Sequence, residues 1–336
     1  MKVKLLGKEK QKLRKQPTDN TEAYQLYLKG RYFTNKRSPE GYRKAMEFYN
    51  KAIQADPEFA LSYTGLAYLY SILGIYGLRH PKDVFPKAES LNEKAFGIDE
   101  DLSSVHRIKG SISLFYDWDW PSSERSYRKA IEINPGDEYS HYNYALYLSY
   151  MGRSKEAIRE MKKAWNLDPL SVVINCHMGH VYFCARRYDD AMQWYRKTLE
   201  IDPQYGLAFY FMGHLYASEK NYKESEKKFQ EAVKLTGGLT WAVGWLSYVY
   251  SKQGKGEEAE KLLQELRKRS QKEYISPLNF ATVYLGFGKI DTAFEYLNYA
   301  YEERDPVLCT LKVIPEVDPY RSDSRFDELL EKMNLK

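Results

Sequence analysis

The sequence predicts an all-α solenoid, a stack of about eight helix-turn-helix units. Three observations carry this reading. Successive segments end in KAIQADPEFA, KAFGIDEDLS, KAIEINPGDE, KAWNLDPLSV and KTLEIDPQYG, which sets Pro135, Pro169 and Pro203 34 residues apart. A small residue recurs near the middle of each unit's first helix, at Gly30, Ala67, Gly110, Ala145, Gly179, Gly213, Ser247 and Ala281, the last five spaced by 34. Twelve residues later comes another small residue, as at Ala157, Ala191, Ser225, Ala259 and Ala293. A large side chain follows four positions on, at Met161, Tyr195, Phe229, Leu263 and Leu297. A fixed period of this length marks a supersecondary unit repeated along an array. One helix pair cannot cover its own apolar face, so neighbours stack and share a continuous core.

Taken in order, residues 1–21 read as a basic linker, 22–306 as the repeat array and 307–336 as a capping segment. The period is interrupted near RSPEGY in the first unit and around GLRHPKDVFP in the second. Glu100 and Gly237 stand where other units carry proline. The last segment, VIPEVDPYRSDSRFDELLEKMNLK, breaks the period and ends in an amphipathic stretch from about Asp323, with Phe326, Leu329, Leu330 and Met333 on one stripe. A solenoid needs its last apolar face covered, which makes capping the first reading of this stretch and an exposed docking helix the second.

Composition narrows the functional classes. A hydrophobic content of 43% over 336 residues places the chain well outside the disordered regime. Three cysteines, Cys176, Cys184 and Cys309, are too few for a disulfide scaffold and suit a reducing, cytoplasmic setting. No apolar run approaches the roughly 18 residues of a membrane span, and the basic start, MKVKLLGKEKQKLRK, lacks an apolar signal core. That start carries seven Lys or Arg and one Glu, a net +6 in a chain of net +5, so the remaining residues sum to −1. A balanced body lacks the cationic face that phosphate backbones require, so nucleic-acid binding by the repeats is not expected.

The 34-residue unit, with small residues where two helices cross and proline after the second, resembles the tetratricopeptide repeat over residues from about 22 to 306. That resemblance implies a right-handed superhelix with the first helices lining its concave surface. A narrower resemblance rests on NTEAYQLYLKGRYFTNKRSPEGYRKAMEFYNKAI, YDWDW, KAWNLDPLSVVINCHMGHVYFCARRYDDAM and LKVIPEVDPYRSDSRFDELLEKMNL. These look like the carboxy-terminal repeat region of multidomain prokaryotic signalling proteins. There such a region follows a TolB-like domain behind a winged-helix, kinase or cyclase effector. An upstream effector domain or protein is therefore an expected partner.

Concave positions, read off with the resemblance as guide, hold an aromatic and histidine lining: Tyr139, Tyr142, Asn143, Tyr150, Cys176, His177, His180, Phe183, Tyr210, Phe211, His214, Trp241, Trp245 and Tyr248. Large, stiff aromatic anchors suit a protein or peptide ligand. The carboxylate clamp of chaperone adaptors is missing, since the corresponding places hold Tyr27, Arg31, Gly65, Tyr68, Arg107 and Ile108. Cys176, His180 and Cys184 recur at steps of four and His214 follows 34 residues after His180, so metal or small-molecule sensing by this cluster is the alternative. No phosphate loop, GxGxxG, GxSxG or HExxH is present, and no cofactor is expected. Asp117 and Asp119 flank Trp118 in YDWDW, where helix capping is the first reading and packing of Trp118 and Trp120 on a neighbouring repeat the second role. Solenoids also self-associate through uncovered ends, which leaves oligomerisation open.

Overall fold

The computed structural model describes residues 18–335. Sixteen helices pair into eight units: α1 (Thr21–Asn35) with α2 (Pro39–Ala55), α3 (Ala60–Ile75) with α4 (Pro81–Ile98), α5 (Ser103–Ile112) with α6 (Trp120–Ile133), and α7 (Glu138–Tyr150) with α8 (Ser154–Leu167). The series continues with α9 (Val172–Cys184) and α10 (Tyr188–Ile201), α11 (Gly206–Ser218) and α12 (Tyr222–Leu235), α13 (Thr240–Lys252) and α14 (Gly256–Ser270), then α15 (Pro277–Gly286) and α16 (Ile290–Glu302). Two 3-10 turns, Pro306–Thr310 and Pro315–Tyr320, lead to the last helix, α17 (Ser324–Lys332). No strand occurs among the described residues.

Local chemistry sets the ends of these helices. Asn20, Ser38, Asp137 and Ser171 accept hydrogen bonds from backbone N–H groups of the turns they open, satisfying donors that the helix itself leaves without partners. The first helices of units four to eight all end in a left-handed residue at one register, Gly152, Arg186, Lys220, Gly254 and Gly288. Beyond each, a backbone N–H reaches back to the carbonyl five residues earlier, as Arg187 does to Tyr182 and Asn221 to Tyr216, which closes the helix with a Schellman arrangement. After the second helices, Asp56, Asp99, Asn134 and Asp202 each accept from the N–H two residues on, an Asx turn that redirects the chain into the next unit.

The small residues sit where the paired helices approach most closely. A Cβ at Gly179 would lie 2.4 Å from the Tyr195 ring, and one at Gly213 would lie 2.8 Å from Phe229. Where the small residue is serine, its hydroxyl also bonds across the pair: Ser225 Oγ donates to Gly213 O at 2.8 Å and Ser247 Oγ to Ala259 O at 2.9 Å. The aromatic laid over each of these crossings is fully buried, as Tyr49, Tyr127, Tyr195 and Phe229 are.

The array curls until its ends meet. His80 and Lys82, before and within α4, both pair with Glu303 at the end of α16. The His80 ring lies 4.7 Å from Tyr274, and Tyr76 lies 6.4 Å from Trp241. YDWDW supports the same seam. A π-helical turn, Ser113–Asp117, passes into left-handed Trp118, and Asp119 caps α6. Trp118 then stacks on Tyr301 at 5.3 Å, with the Arg304 guanidinium 4.7 Å from its ring. Trp120 donates its Nε1–H to Met333 O at 2.9 Å. The tryptophans thus grip the eighth unit and the C-terminal segment rather than an adjacent repeat, because the curl brings units three and eight together.

Two substitutions test these devices. Gly179→Ala would force the Tyr195 ring to move, and net destabilisation of about 1–3 kcal/mol is expected, read as a lower urea midpoint. Lys220→Gly relieves a left-handed backbone on an exposed residue and is expected to stabilise by about 0.5–1 kcal/mol; an unchanged midpoint would contradict the strain.

Candidate functional site

Ring closure turns the concave surface into a chamber of about 230 Å³. First helices of nearly every unit contribute to its wall, as do Arg37 after α1, Tyr274 before α15 and the segment from Asp305 to Tyr320. Twelve of the fourteen residues singled out above line it, from Tyr142, Asn143 and Tyr150 on α7 through His177, His180 and Phe183 on α9 to Trp241, Trp245 and Tyr248 on α13. Tyr139 and Cys176 do not. Tyr139 packs edge-on against Tyr142 and Tyr68, its hydroxyl donating to Asn35 Oδ1 at 3.1 Å. Cys176 is fully buried with Tyr205, Leu207 and Ala208.

The rings make one continuous aromatic wall. His180 stacks on Phe211 at 4.6 Å, His177 meets Tyr142 edge-on at 5.2 Å, and His214 lies 4.3 Å from Trp245 and 4.4 Å from Tyr210. Tyr210 in turn meets Trp241 at 4.0 Å. Burial holds His177 and His180 neutral, lowering His177 to about 4 and His180, which also faces His177 and His214, to about 3.

The cysteine and histidine cluster does not converge on one point. A step of four along a helix advances about 40° beyond a full turn, so Cys176 and Cys184 diverge by about 80°. Cys184 Sγ lies 3.6 Å from His180 Nε2, whereas His214 pairs through Nδ1 with Glu316. Burial raises both thiols, Cys184 to about 12, which opposes the thiolate a metal needs. Among the described residues no group of three or more His, Cys, Asp or Glu is placed to hold a metal ion.

Sequence reasoning made the C-terminal segment a cap, and α17 does lie on α16, with Arg325 paired to Asp291 and Lys332 donating to Asn298; the place of residues 305–320 along the chamber is what it did not foresee. Val317 and Phe326 line the chamber, and Glu316 is seated on His214. Arg186, one of the left-handed hinge residues, donates to Val313 O at 2.7 Å and to both Asp318 carboxylate oxygens at 2.9 and 3.0 Å. An unbroken period made the repeats legible, but nothing in 34-residue spacing reveals how far they curl or what the aperiodic tail meets. Arg37, Tyr76, Tyr274 and Glu316 were missed for that reason.

A fold of this kind is a tetratricopeptide repeat array, and the comparisons agree. Residues 126–159, 173–205 and 207–237 match models of the tetratricopeptide repeat family. The chain is 33% identical over 99 residues to small glutamine-rich tetratricopeptide repeat-containing protein 2 of Mycosarcoma maydis, and 32% identical over 97 residues to Hsp70-Hsp90 organizing protein 2 of Arabidopsis thaliana. Each match covers 29% of this chain, but only 28% and 17% of the two relatives. Among solved structures, a human IFIT1 dimer with PPP-AAAA shares the fold at a TM-score of 0.53 and 17% identity, over 78% of this chain and 68% of that one. No helix among the described residues is long and apolar enough to cross a membrane.

The buried histidines give the chamber a pH signature. Below about pH 6.5 the unfolded chain protonates both, while the folded chain keeps them neutral down to about 4 and 3. The unfolded state then binds more protons, so stability rises with pH across that interval. Between pH 6.5 and 5 each histidine is expected to cost on the order of 2 kcal/mol, and His180→Phe should remove about half of this dependence in urea unfolding at the two pH values.

Proposed function

We propose that this protein is a non-catalytic interaction scaffold whose concave surface takes a short turn-forming polypeptide segment carrying an acidic side chain between apolar ones. The observation that carries the reading is the chain's own segment LKVIPEVDPYRS, residues 311–322, lying against that surface. Its acid, Glu316, meets His214, its backbone and Asp318 are held by Arg186, and Val317 lines the aromatic chamber. The wall supplies apolar area with few rotors to freeze, and the histidine and arginine select for the acid. The tail stands in for a partner of the same chemistry and competes with it. Regulation of an effector, in another domain or another protein, would operate through that exchange. Chaperone ends are not the chosen ligand, given the residues at the clamp positions, and no observation favours the metal form of the sensing alternative.

The test titrates a fluorescent peptide of sequence LKVIPEVDPYRS into the full-length chain. The tail, tethered at an effective concentration on the order of millimolar, holds wild type nearly closed to it. Glu316→Ala loosens the tail and is expected to bind the peptide about tenfold more tightly than wild type. Adding His214→Ala should return binding to the wild-type level or below. Failure of the peptide to bind either variant would sink the reading.

A further inference from the structure

Beyond the polypeptide surface, one corner of the chamber has a chemistry that an acidic peptide does not explain. Arg37 follows α1 in a left-handed conformation at φ 48°, a setting bulky residues avoid unless the surroundings hold them there. It lines the chamber among tyrosines. Its Nη2 donates to Tyr68 Oη at 2.9 Å, and its guanidinium carbon lies 5.8 and 5.7 Å from the Tyr68 and Tyr76 ring centres. Tyr42 and Tyr205 are its other charged-range neighbours. No carboxylate among the described residues forms an ion pair with it, and its enclosed Nε has no hydrogen-bond partner.

Arg37 is half-buried with its Nε enclosed, and a guanidinium so placed without a counter-charge favours an anion beside it. Two acids face the chamber, Asp305 and Glu316, and of their oxygens only Glu316 Oε2 is left without a partner. Asp305 accepts from Ser276 Oγ and Val307 N, and Glu316 Oε1 is taken by His214. Further polar atoms of the same wall stand without partners: Trp241 Nε1, His180 Nδ1 and Tyr274 Oη. From Arg37 the wall runs through Tyr76 to Trp241, 6.4 Å on, and then to Tyr210, a surface of π-faces beginning at a cation. A volume of about 230 Å³ exceeds the roughly 150 Å³ of an engineered apolar cavity that binds benzene, enough for a single or fused ring system.

We propose that the chamber is a binding site for a small aromatic carboxylate, with its anionic group on Arg37 and its ring between Tyr76, Trp241 and the histidine-bearing wall. Arginine presents a planar fork of donors that matches a carboxylate, and aromatic walls take a flat apolar body. The seam supplies the two halves, Arg37 and Tyr76 from the first two units and Trp241 from the seventh. A ligand held there strengthens closure of the ring.

Calorimetric titration of the full-length chain with indole-3-acetate and phenylacetate is the test, with indole-3-acetamide as the neutral arm and sodium acetate as the anion without a ring. The expected result is one saturable site for the aromatic carboxylates, with acetamide and acetate each at least about tenfold weaker. Arg37→Met is expected to lose at least tenfold, while in the Glu316→Ala background it leaves binding of the LKVIPEVDPYRS peptide unchanged, which separates this site from the polypeptide surface. Arg37→Lys, keeping charge without the fork, should fall between. Trp241→Phe keeps the packing if Arg37→Met fails to fold, and is expected to weaken binding severalfold. A chamber that holds solvent only, with no saturable binding up to about 10 mM, would overturn the proposal, as would equal binding of the acid and its amide.

Discussion

Everything in this structure depends on how closely two helices can cross. Gly179 beneath Tyr195, and Gly213 beneath Phe229, leave no room for a Cβ, and a fully buried ring fills the space. Packing of this density transmits geometry: the crossing fixes the angle within a unit, the stacked units repeat it, and a small rotation per unit accumulates over eight of them. The curl ends where His80 and Lys82 meet Glu303 and where Trp118 meets Tyr301. A closed interior follows from the smallest residues in the sequence.

Closure changes what the concave surface is. Tyrosines and histidines that an open superhelix would show to solvent become the walls of a chamber, and their titration follows. His177 and His180 stay neutral far below the usual histidine range because burial penalises the imidazolium. Charged groups there need company. Glu316 has His214, Asp305 has Ser276 and the Val307 amide, and Arg186 spans from its hinge to Asp318. Arg37 alone of these has a tyrosine hydroxyl and tyrosine rings in place of an oppositely charged partner, and that asymmetry separates the two ends of the chamber in chemistry as well as in position.

The repeats were legible in the sequence because periodicity is a local property: spacing, small residues and turn chemistry all report on one unit and its neighbour. Twelve chamber residues could be placed from register alone, since a fixed helix face looks inward in every unit. Tyr139 shares its register with Trp241, and Cys176 with Tyr142 and Tyr210, yet neither lines the chamber: Tyr139 is turned to Tyr68 and Asn35, and the short Cys176 is covered by Tyr205 and Leu207. Long-range partners were beyond reach. Trp120 bonds Met333 and His80 meets Glu303 across more than 200 residues, and no pattern within a unit encodes the accumulated curl. The tail carries an amphipathic stripe that reads as a cap, yet Glu316 and Val317 lie in an aperiodic stretch whose role appears only once the ring is closed. Arg37 opens the RSPEGY interruption of the period, and its significance is set by which side chains surround it rather than by its own spacing.

The central claim is that the concave surface holds a short polypeptide segment, at present the chain's own 3-10 turn. Hydrogen exchange read at residues 308–321, with and without excess LKVIPEVDPYRS peptide, tests it most directly. Backbone bonds such as Leu311 N to Leu308 O and Val313 N to Thr310 O should protect this segment in the free chain, and protection should fall as the peptide takes its place while the helices α7 to α13 stay protected. Exchange in the free chain at the rate of an unstructured peptide would show that the tail does not occupy the chamber, and would contradict the account.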